Sequence, residues 1–519
     1  MAVKYPIFSK DDLNGFWALF ADNLANTIIV TAACLLVLKI PPELVFGRVL
    51  PGVGMSLLAG LLFYAWLARK LAQKEQRTDV TALPYGISTP VMFAYIFMVM
   101  KPVANSAIAG GMSEADAGIL AWRVGVAATF LGGIIEALGS LVGPWLKRHL
   151  PRAGMLGTLA GIALVWIAAV PLAEIFENPV IGLLSMAVVL VGLVAMKRLP
   201  FGIPAGLAAI MLGTVIGLAT GQSSFDTSGL GLYVPVPVLG DLWLGLQALL
   251  QNTWILAVVV PAEIYNFIET MNNVESAEAA GDSFPVGICQ VADGAGTMVG
   301  ALFGSAFPTT VYIGHPGYKR LGGRMGYALG VGIVFSVGAL FGLFTLLNAL
   351  IPVAAVAPML VFIGLVIMGQ AFTAVPPAHA MAGAMAILPH VSNLLIAKWS
   401  SLSTVLTGDP VRYFDPALAA AFVQQGAHVP GHAALSYGAI ITGLIWGSVT
   451  AFLIDRKPVS AGLAAIAGAI LTLFGFIHYP VMGFYPGPIF GGYVAIAVFC
   501  GILHLFPGKD DPSAELHVN

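Results

Sequence analysis

From residue 14 onward one pattern recurs in this chain: apolar runs of bilayer-spanning length, about 18 residues or more, separated by short polar turns. They fall near 14–38, 46–70, 118–143, 154–172, 179–196 and 203–220, resume near 245–270, 283–303, 325–350, 353–375 and 379–397, and close with 433–454, 460–478 and 484–505. Two shorter, irregular segments lie near 84–101 and just after Pro308. A soluble surface draws on a pool of about 25% charged residues, and this chain has 9%, with 58% hydrophobic residues. The expectation is an all-α polytopic membrane protein of about fourteen to sixteen spans.

The loop charges order these spans. Arg69, Lys70, Lys74 and Arg77 follow the second run, Lys147, Arg148 and Arg152 the fourth, and Lys197 and Arg198 the sixth. Lys319, Arg320 and Arg324, then Arg456 and Lys457, keep to the same side. By the positive-inside rule that side and the N-terminus are cytoplasmic, which places the protein in a cell (inner) membrane. The start, MAVKYPIFSKDDLNGFW, has no small-residue cleavage site and reads as the lead-in to a first helix, not a signal peptide. The net charge of −2 and the absence of a basic stripe exclude nucleic acid as a partner. Cys34, Cys289 and Cys500 lie in apolar runs and suggest neither a disulfide framework nor a metal site. No cofactor is called for.

Within this apolar background the stretch 258–282, VVVPAEIYNFIETMNNVESAEAAGD, places Glu263, Asn266 and Glu269 at membrane depth. Ionisable groups there are costly and mark function. On a helix Asn266 shares a broad face with Glu263, and Glu269 sits 60° from Asn266. Asp22, in FADNLAN, stands 241 residues before Glu263, while TALPYGISTP around Pro84 and SAFPTTVYIGHPG around Pro308 stand 224 apart. These offsets suggest two seven-segment repeats of opposite sense. Extended backbone at membrane depth must be buried in protein or line a cavity, so each Pro/Gly-interrupted stretch predicts a short strand followed by a half-helix aimed at the centre.

The block GTMVGALFGSAFPTTVYIGHPGYKRLGGRMGYALG, the acidic helix before it and TALPYGISTP together resemble the nucleobase transporter superfamily of xanthine, uracil and adenine/guanine/hypoxanthine permeases. The resemblance spans about residues 14–450. It implies fourteen spans in two inverted sevens with core and gate domains: 1–150 and 241–350 forming the core, 151–240 and 351–458 the gate, and 459–519 carrying additional C-terminal helices and a tail. Glu263 then looks like the substrate glutamate of the uracil-type A-E-H-V-G-H motif, whereas Glu269 matches the aspartate of the purine-type D-T-x-G-T motif. Where purine permeases read T-T-Y-I-E-S, this chain reads Thr309, Thr310, Val311, Tyr312, Ile313, Gly314, His315. The second acidic residue is absent, and His315 stands near its place.

The resulting expectation is a secondary transporter, not an enzyme, that takes up a nucleobase by proton symport with alternating access. Glu263, Asn266, Phe267, Glu269, Tyr85, Gly86, Thr309, Thr310 and Tyr312 are the candidate substrate residues, with Tyr85, Phe267 or Tyr312 stacking on the ring. Glu263, Glu269, Asp22, His315 and Asp293 are the proton-coupling candidates, with Glu136 a further one and sodium the alternative ion. Asn26 is a candidate for lining the site from the first span. An inorganic anion carrier of the same fold, for sulfate or bicarbonate, is the alternative; its members commonly append a soluble C-terminal domain, whereas this sequence ends soon after its last apolar run. A homodimer contact is a candidate role for the last two helices. No G-x-x-x-x-G-K-[ST] sequence points to ATP, no H-E-x-x-H to an intramembrane enzyme, and the internal repeat argues against a channel of symmetric subunits.

Overall fold

The computed structural model describes residues 5–200, 203–227, 229–251, 255–407 and 416–505. The C-terminal tail expected beyond the last helix lies outside these residues. Among the described residues, seven helices are long and apolar enough to cross a bilayer, and six shorter apolar helices accompany them. The acidic helix Leu256–Ala279 belongs to neither group, because Glu263, Glu269 and Glu275 interrupt its apolar character. The chain is a multi-pass, mostly helical membrane protein built on an inverted repeat, with two further helices at its C-terminal end.

The chain forms two compact units, and the larger comprises residues up to 147 together with 167–366. Eight helices and two strands of this unit position the candidate site. They are α1 (Asp12–Val37) and α2 (Pro42–Glu75), strand β1 (Tyr85–Ile87), α3 (Thr89–Ala94), which runs on unbroken through Tyr95–Ala109, and α4 (Glu114–Gly139). After the intervening helices come α5 (Leu256–Ala279), α6 (Val286–Leu302), β2 (Thr309–Val311), α7 (His315–Arg320) and α8 (Gly326–Leu340).

The two strands pair antiparallel, with Tyr85 opposite Val311, Gly86 opposite Thr310 and Ile87 opposite Thr309. Flanking bonds extend the ladder: Ser88 N donates to Pro308 O at 2.9 Å and Tyr312 N to Pro84 O at 2.8 Å. Each strand opens just after a proline, which has no N–H to offer. Each half-helix then begins with a proline in its first turn, where that missing donor costs nothing. Pairing the two breaks satisfies backbone that lipid would leave bare.

The helix contacts repeat the symmetry. Exchanging the halves turns the α4–α6 pair into α8–α2, and α4–α5 into α8–α1; all four pairs are in close contact. The strand pair rests on α2 and α6 through a hydroxyl cluster. Thr309 Oγ1 lies 2.8 Å from Ser56 Oγ, 2.6 Å from the Tyr85 hydroxyl and 3.1 Å from Thr297 Oγ1.

The second unit comprises 148–166 and the residues from 367 onward. It is an all-helical assembly in which Thr158 Oγ1 lies 2.8 Å from His390 Nε2 and donates to Ile440 O. The chain turns by 89° between Val429–Ser436 and Ala439–Ile454, at Gly438 with φ +69°. The last two helices, Pro458–Leu473 and Pro488–Leu505, pack along one another.

Candidate functional site

The α5 helix passes across the strand pair and divides its polar residues between two faces. Glu263, Asn266, Thr270 and Asn273 follow one another at spacings of three or four residues and face α4 and β2. Glu269, 100° round from Thr270, turns instead to the first break, where Ser88 Oγ donates to its Oε2 at 3.3 Å. All five side chains are buried.

Glu263 is fully buried, accepts a hydrogen bond from the hydroxyl of Tyr95 on the helix continuing α3 and leaves Oε2 without a partner. Its carboxyl lies directly against Gly132 of α4, where any Cβ would collide with it. Asn266 Nδ2 donates to Glu136 Oε2 at 3.1 Å, and its Oδ1 is unpartnered. Thr270 Oγ1 lies 3.0 Å from Glu136 Oε1, 2.8 Å from Asp293 Oδ2 and 2.7 Å from Thr310 Oγ1. Asp293 also accepts from the Tyr64 hydroxyl and from Val311 N at 2.8 Å. Asn273 Nδ2 donates to Val311 O at 2.6 Å. Hydroxyls, amides and a backbone N–H surround Glu136, Glu263, Glu269 and Asp293; no Lys or Arg among the described residues bonds to them.

The aromatic candidates are packed among these groups. Tyr85 is buried with its hydroxyl on Thr309. Tyr312 lies over Gly86, which has no Cβ to obstruct it, and its hydroxyl accepts from Asn26 Nδ2 at 2.8 Å and donates to Asn23 Oδ1 at 3.4 Å. Phe267 packs toward Gly139 of α4. The α1 helix meets both breaks: beside these bonds to Tyr312 at the second, Asn23 Nδ2 donates to Tyr85 O and Thr89 Oγ1 donates to Asn26 Oδ1 at 2.9 Å at the first. Asp22 is half-buried and makes no hydrogen bond among the described residues.

His315 sits apart from the carboxylates. Its Nε2 lies 3.1 Å from Asp282 Oδ2 and 3.2 Å from Thr81 O, at the end of the bundle where the basic loops gather. Asp282, in the α5–α6 connection, also takes Arg77 Nη2 and Lys319 Nζ, each at 2.6 Å, and Thr81 N at 3.0 Å. Burial works to raise its pKa, but these hydrogen bonds and the neighbouring charges hold its carboxyl well below the usual carboxylate range.

Thus the structure gathers Glu263, Asn266, Glu269, Gly86, Thr309, Thr310, Tyr312 and Asp293 around the strand pair and separates His315 from them. Sequence reasoning did not single out Asn23, Ser88, Thr89, Tyr95 or Thr270. Paired asparagines in an apolar first helix, and hydroxyls at a Pro-marked break, are the signals that point to Asn23, Ser88 and Thr89; Thr270 is marked only by its place on the face of Glu263 and Asn266, and nothing in the sequence distinguishes Tyr95 from a packing aromatic. Among the described residues no group of three or more His, Cys, Asp or Glu side chains is placed to hold a metal ion.

No protein family matches the chain, and no curated protein matches it. Among solved structures, the transmembrane domain of a cyanobacterium bicarbonate transporter, BicA, is similar over 76% of this chain and 98% of that one, at 18% identity and a TM-score of 0.45. SLC26A9 is similar over 86% of this chain and 65% of that one, at 12% identity and a TM-score of 0.45. These comparisons correct the nucleobase-permease resemblance drawn from the sequence: the similar structures named are a bicarbonate transporter's transmembrane domain and SLC26A9. The physical reason is that the residues carrying that resemblance encode paired strand breaks and half-helices. Backbone satisfaction at membrane depth demands these whatever the cargo. The chain is a multi-pass membrane protein whose two paired strand breaks stand at corresponding places in an inverted repeat.

Proposed function

We propose that this protein is a secondary transporter of a small inorganic anion of the bicarbonate or sulfate kind, moved together with a cation, a proton or sodium. The observation that carries the reading is the disposition of the aromatic side chains at the breaks. Tyr85 and Tyr312 spend both ring and hydroxyl on internal packing, and Phe267 turns to α4, so none of these three rings stands as a platform for a planar base. What the first break presents instead is small and polar: the first-turn N–H groups of the long helix that α3 opens, beside Ser88 and Thr89, whose hydroxyls hold Glu269 and Asn26 in place and would turn to an anion only by releasing them. Such donors suit a compact anion.

The buried carboxylates supply the reason for a cation. An anion entering beside Glu269, with no Lys or Arg bonded nearby, adds negative charge to a low-dielectric region and is admissible only if a cation enters too. Glu136, Glu263, Glu269, Asp293 and Asp22 are the groups available to bear it, and Glu269, the carboxylate that Ser88 places at the first break, couples it to the anion.

Thermal unfolding of the purified protein against bicarbonate, sulfate, chloride, uracil, xanthine and guanine, at two pH values and with and without sodium, tests this reading. A ligand that binds the folded state raises the melting temperature. We expect an inorganic anion to do so, with a cation dependence that Glu269→Gln removes. Stabilisation by a base and by none of the anions would refute the proposal.

A further inference from the structure

The hydrogen-bond geometry points to a proton held in common by Glu136 and Asp293 through the hydroxyl of Thr270, and we propose that this pair is the proton-binding centre of the transport cycle. The inference rests on the coupled-transporter reading above and names the groups that carry the coupling ion.

Thr270 Oγ1 stands at hydrogen-bond distance from two carboxylate oxygens, Glu136 Oε1 at 3.0 Å and Asp293 Oδ2 at 2.8 Å, and from Thr310 Oγ1 at 2.7 Å. A hydroxyl has one hydrogen to donate, so it serves one of the two carboxylates. The other contact is a hydrogen bond only if that carboxyl itself donates. Thr310 does not change the balance, because its hydrogen adds a donor to Thr270 or to Asp293 but none to Glu136. The pair therefore carries at least one proton.

The surroundings favour Asp293 as the ionised member. It accepts from Tyr64 at one oxygen and from Val311 N–H at the other, while Glu136, among the described residues, receives the Asn266 amide besides Thr270. The proton then rests on Glu136. In the transfer step it passes from Glu136 Oε1 to Thr270 Oγ1 as the hydroxyl hydrogen passes from Thr270 to Asp293 Oδ2. Thr270 ends unchanged and the negative charge moves from Asp293 to Glu136. Because Asp293 Oδ2 holds the N–H of Val311, the step loosens or tightens β2, the strand on which the second break is built.

A second observation marks the approach to the pair. Asn266, whose amide nitrogen touches Glu136, leaves Oδ1 without a partner, and Glu263, one turn away on the same face of α5, leaves Oε2 without one. Both residues are fully buried. Two buried oxygens lacking donors beside Glu136 are acceptors for an incoming water or proton. The other titratable groups facing the pair are Glu263 and Glu269 on α5, Tyr95 on the helix continuing α3, Tyr64 on α2, Tyr85 on β1 and Cys289 on α6. The helix Leu239–Gln251, also packed on α4, brings Asp241, which is paired with Arg123 far along α4 from Glu136.

Infrared spectroscopy of the purified protein at neutral pH reads the proton directly, through the C=O band of a protonated buried carboxyl. We expect Glu136→Gln to remove one such band. Thr270→Val should shift the band and the pH at which it titrates, and Thr270→Ser, which keeps the hydroxyl, should restore both. Melting curves identify any variant that has failed to fold, and the valine/serine pair decides the matter without the glutamine variant. A spectrum with no protonated-carboxyl band, or one that Glu136→Gln and Thr270→Val leave unaltered, would overturn the proposal. Because this readout involves no transport, the outcome is separate from the anion panel: a Glu136 band in a protein that binds no inorganic anion would sink the proposed cargo and leave the shared proton standing.

Discussion

Asp282 shows how the two broken segments are held at their basic end. It has no exposed surface, yet it receives Arg77 from the connection before β1, Lys319 and His315 from α7, and the backbone N–H of Thr81. One carboxylate thus ties both breaks to the α5–α6 connection. Its pKa is depressed in the folded protein, so the stabilisation is present above the unfolded value of about 4 and is lost as pH falls through the lower folded value. Asp282→Asn should cost about 2 kcal/mol at neutral pH, less than a fully buried pair because Arg77 and Lys319 keep contact with water. The gap in melting temperature between wild type and variant should narrow as pH drops below about 4. A gap independent of pH would show that the charge is not what matters.

At the level of the element, the antiparallel pair β1–β2 is short and depends on close approach. Gly86 lies opposite Thr310, and a Cβ there would run into the Tyr312 ring and the Asn23 amide. Gly86→Ala should therefore push Tyr312 off its bond with Asn26 and spread the strands where Glu269 and Ser88 meet. A displacement of this size at a binding centre costs on the order of a hundredfold in rate. We expect uptake into proteoliposomes to fall by about that factor while the amount of folded protein in the membrane changes little. Equal losses in both would assign Gly86 to folding alone.

Across the whole molecule, the exchange of α4–α6 with α8–α2 and of α4–α5 with α8–α1 places one polar centre at the meeting of two opposed halves. On the proposed reading that centre binds and releases its cargo, where a channel would hold an open pore lined by symmetric subunits. Anion flux through the reconstituted protein should saturate with concentration, and unlabelled anion trapped inside vesicles should accelerate entry of labelled anion. Flux proportional to concentration, with no such acceleration, would be the behaviour of a channel.

Much of this was legible in the chain itself, because lipid imposes simple rules. Runs long enough to span, charges collected on one side, and Pro- and Gly-marked breaks at matching places in two halves follow from backbone satisfaction and the cost of burying charge. They determined a polytopic helical protein, the inverted repeat, and Glu263, Glu269, Asp293 and the Thr309–Tyr312 segment as its polar centre. Partner choice was not determined, since it depends on which helix faces which. Only the tertiary structure sends His315 to Asp282 instead of to the carboxylates, turns Tyr85 and Phe267 into packing, and brings Glu136 of α4 within reach of Asp293 through Thr270. Spacing along one helix fixes a face to within a few tens of degrees, whereas a hydrogen bond between residues more than a hundred positions apart is set by how the helices cross and how closely their glycines let them approach.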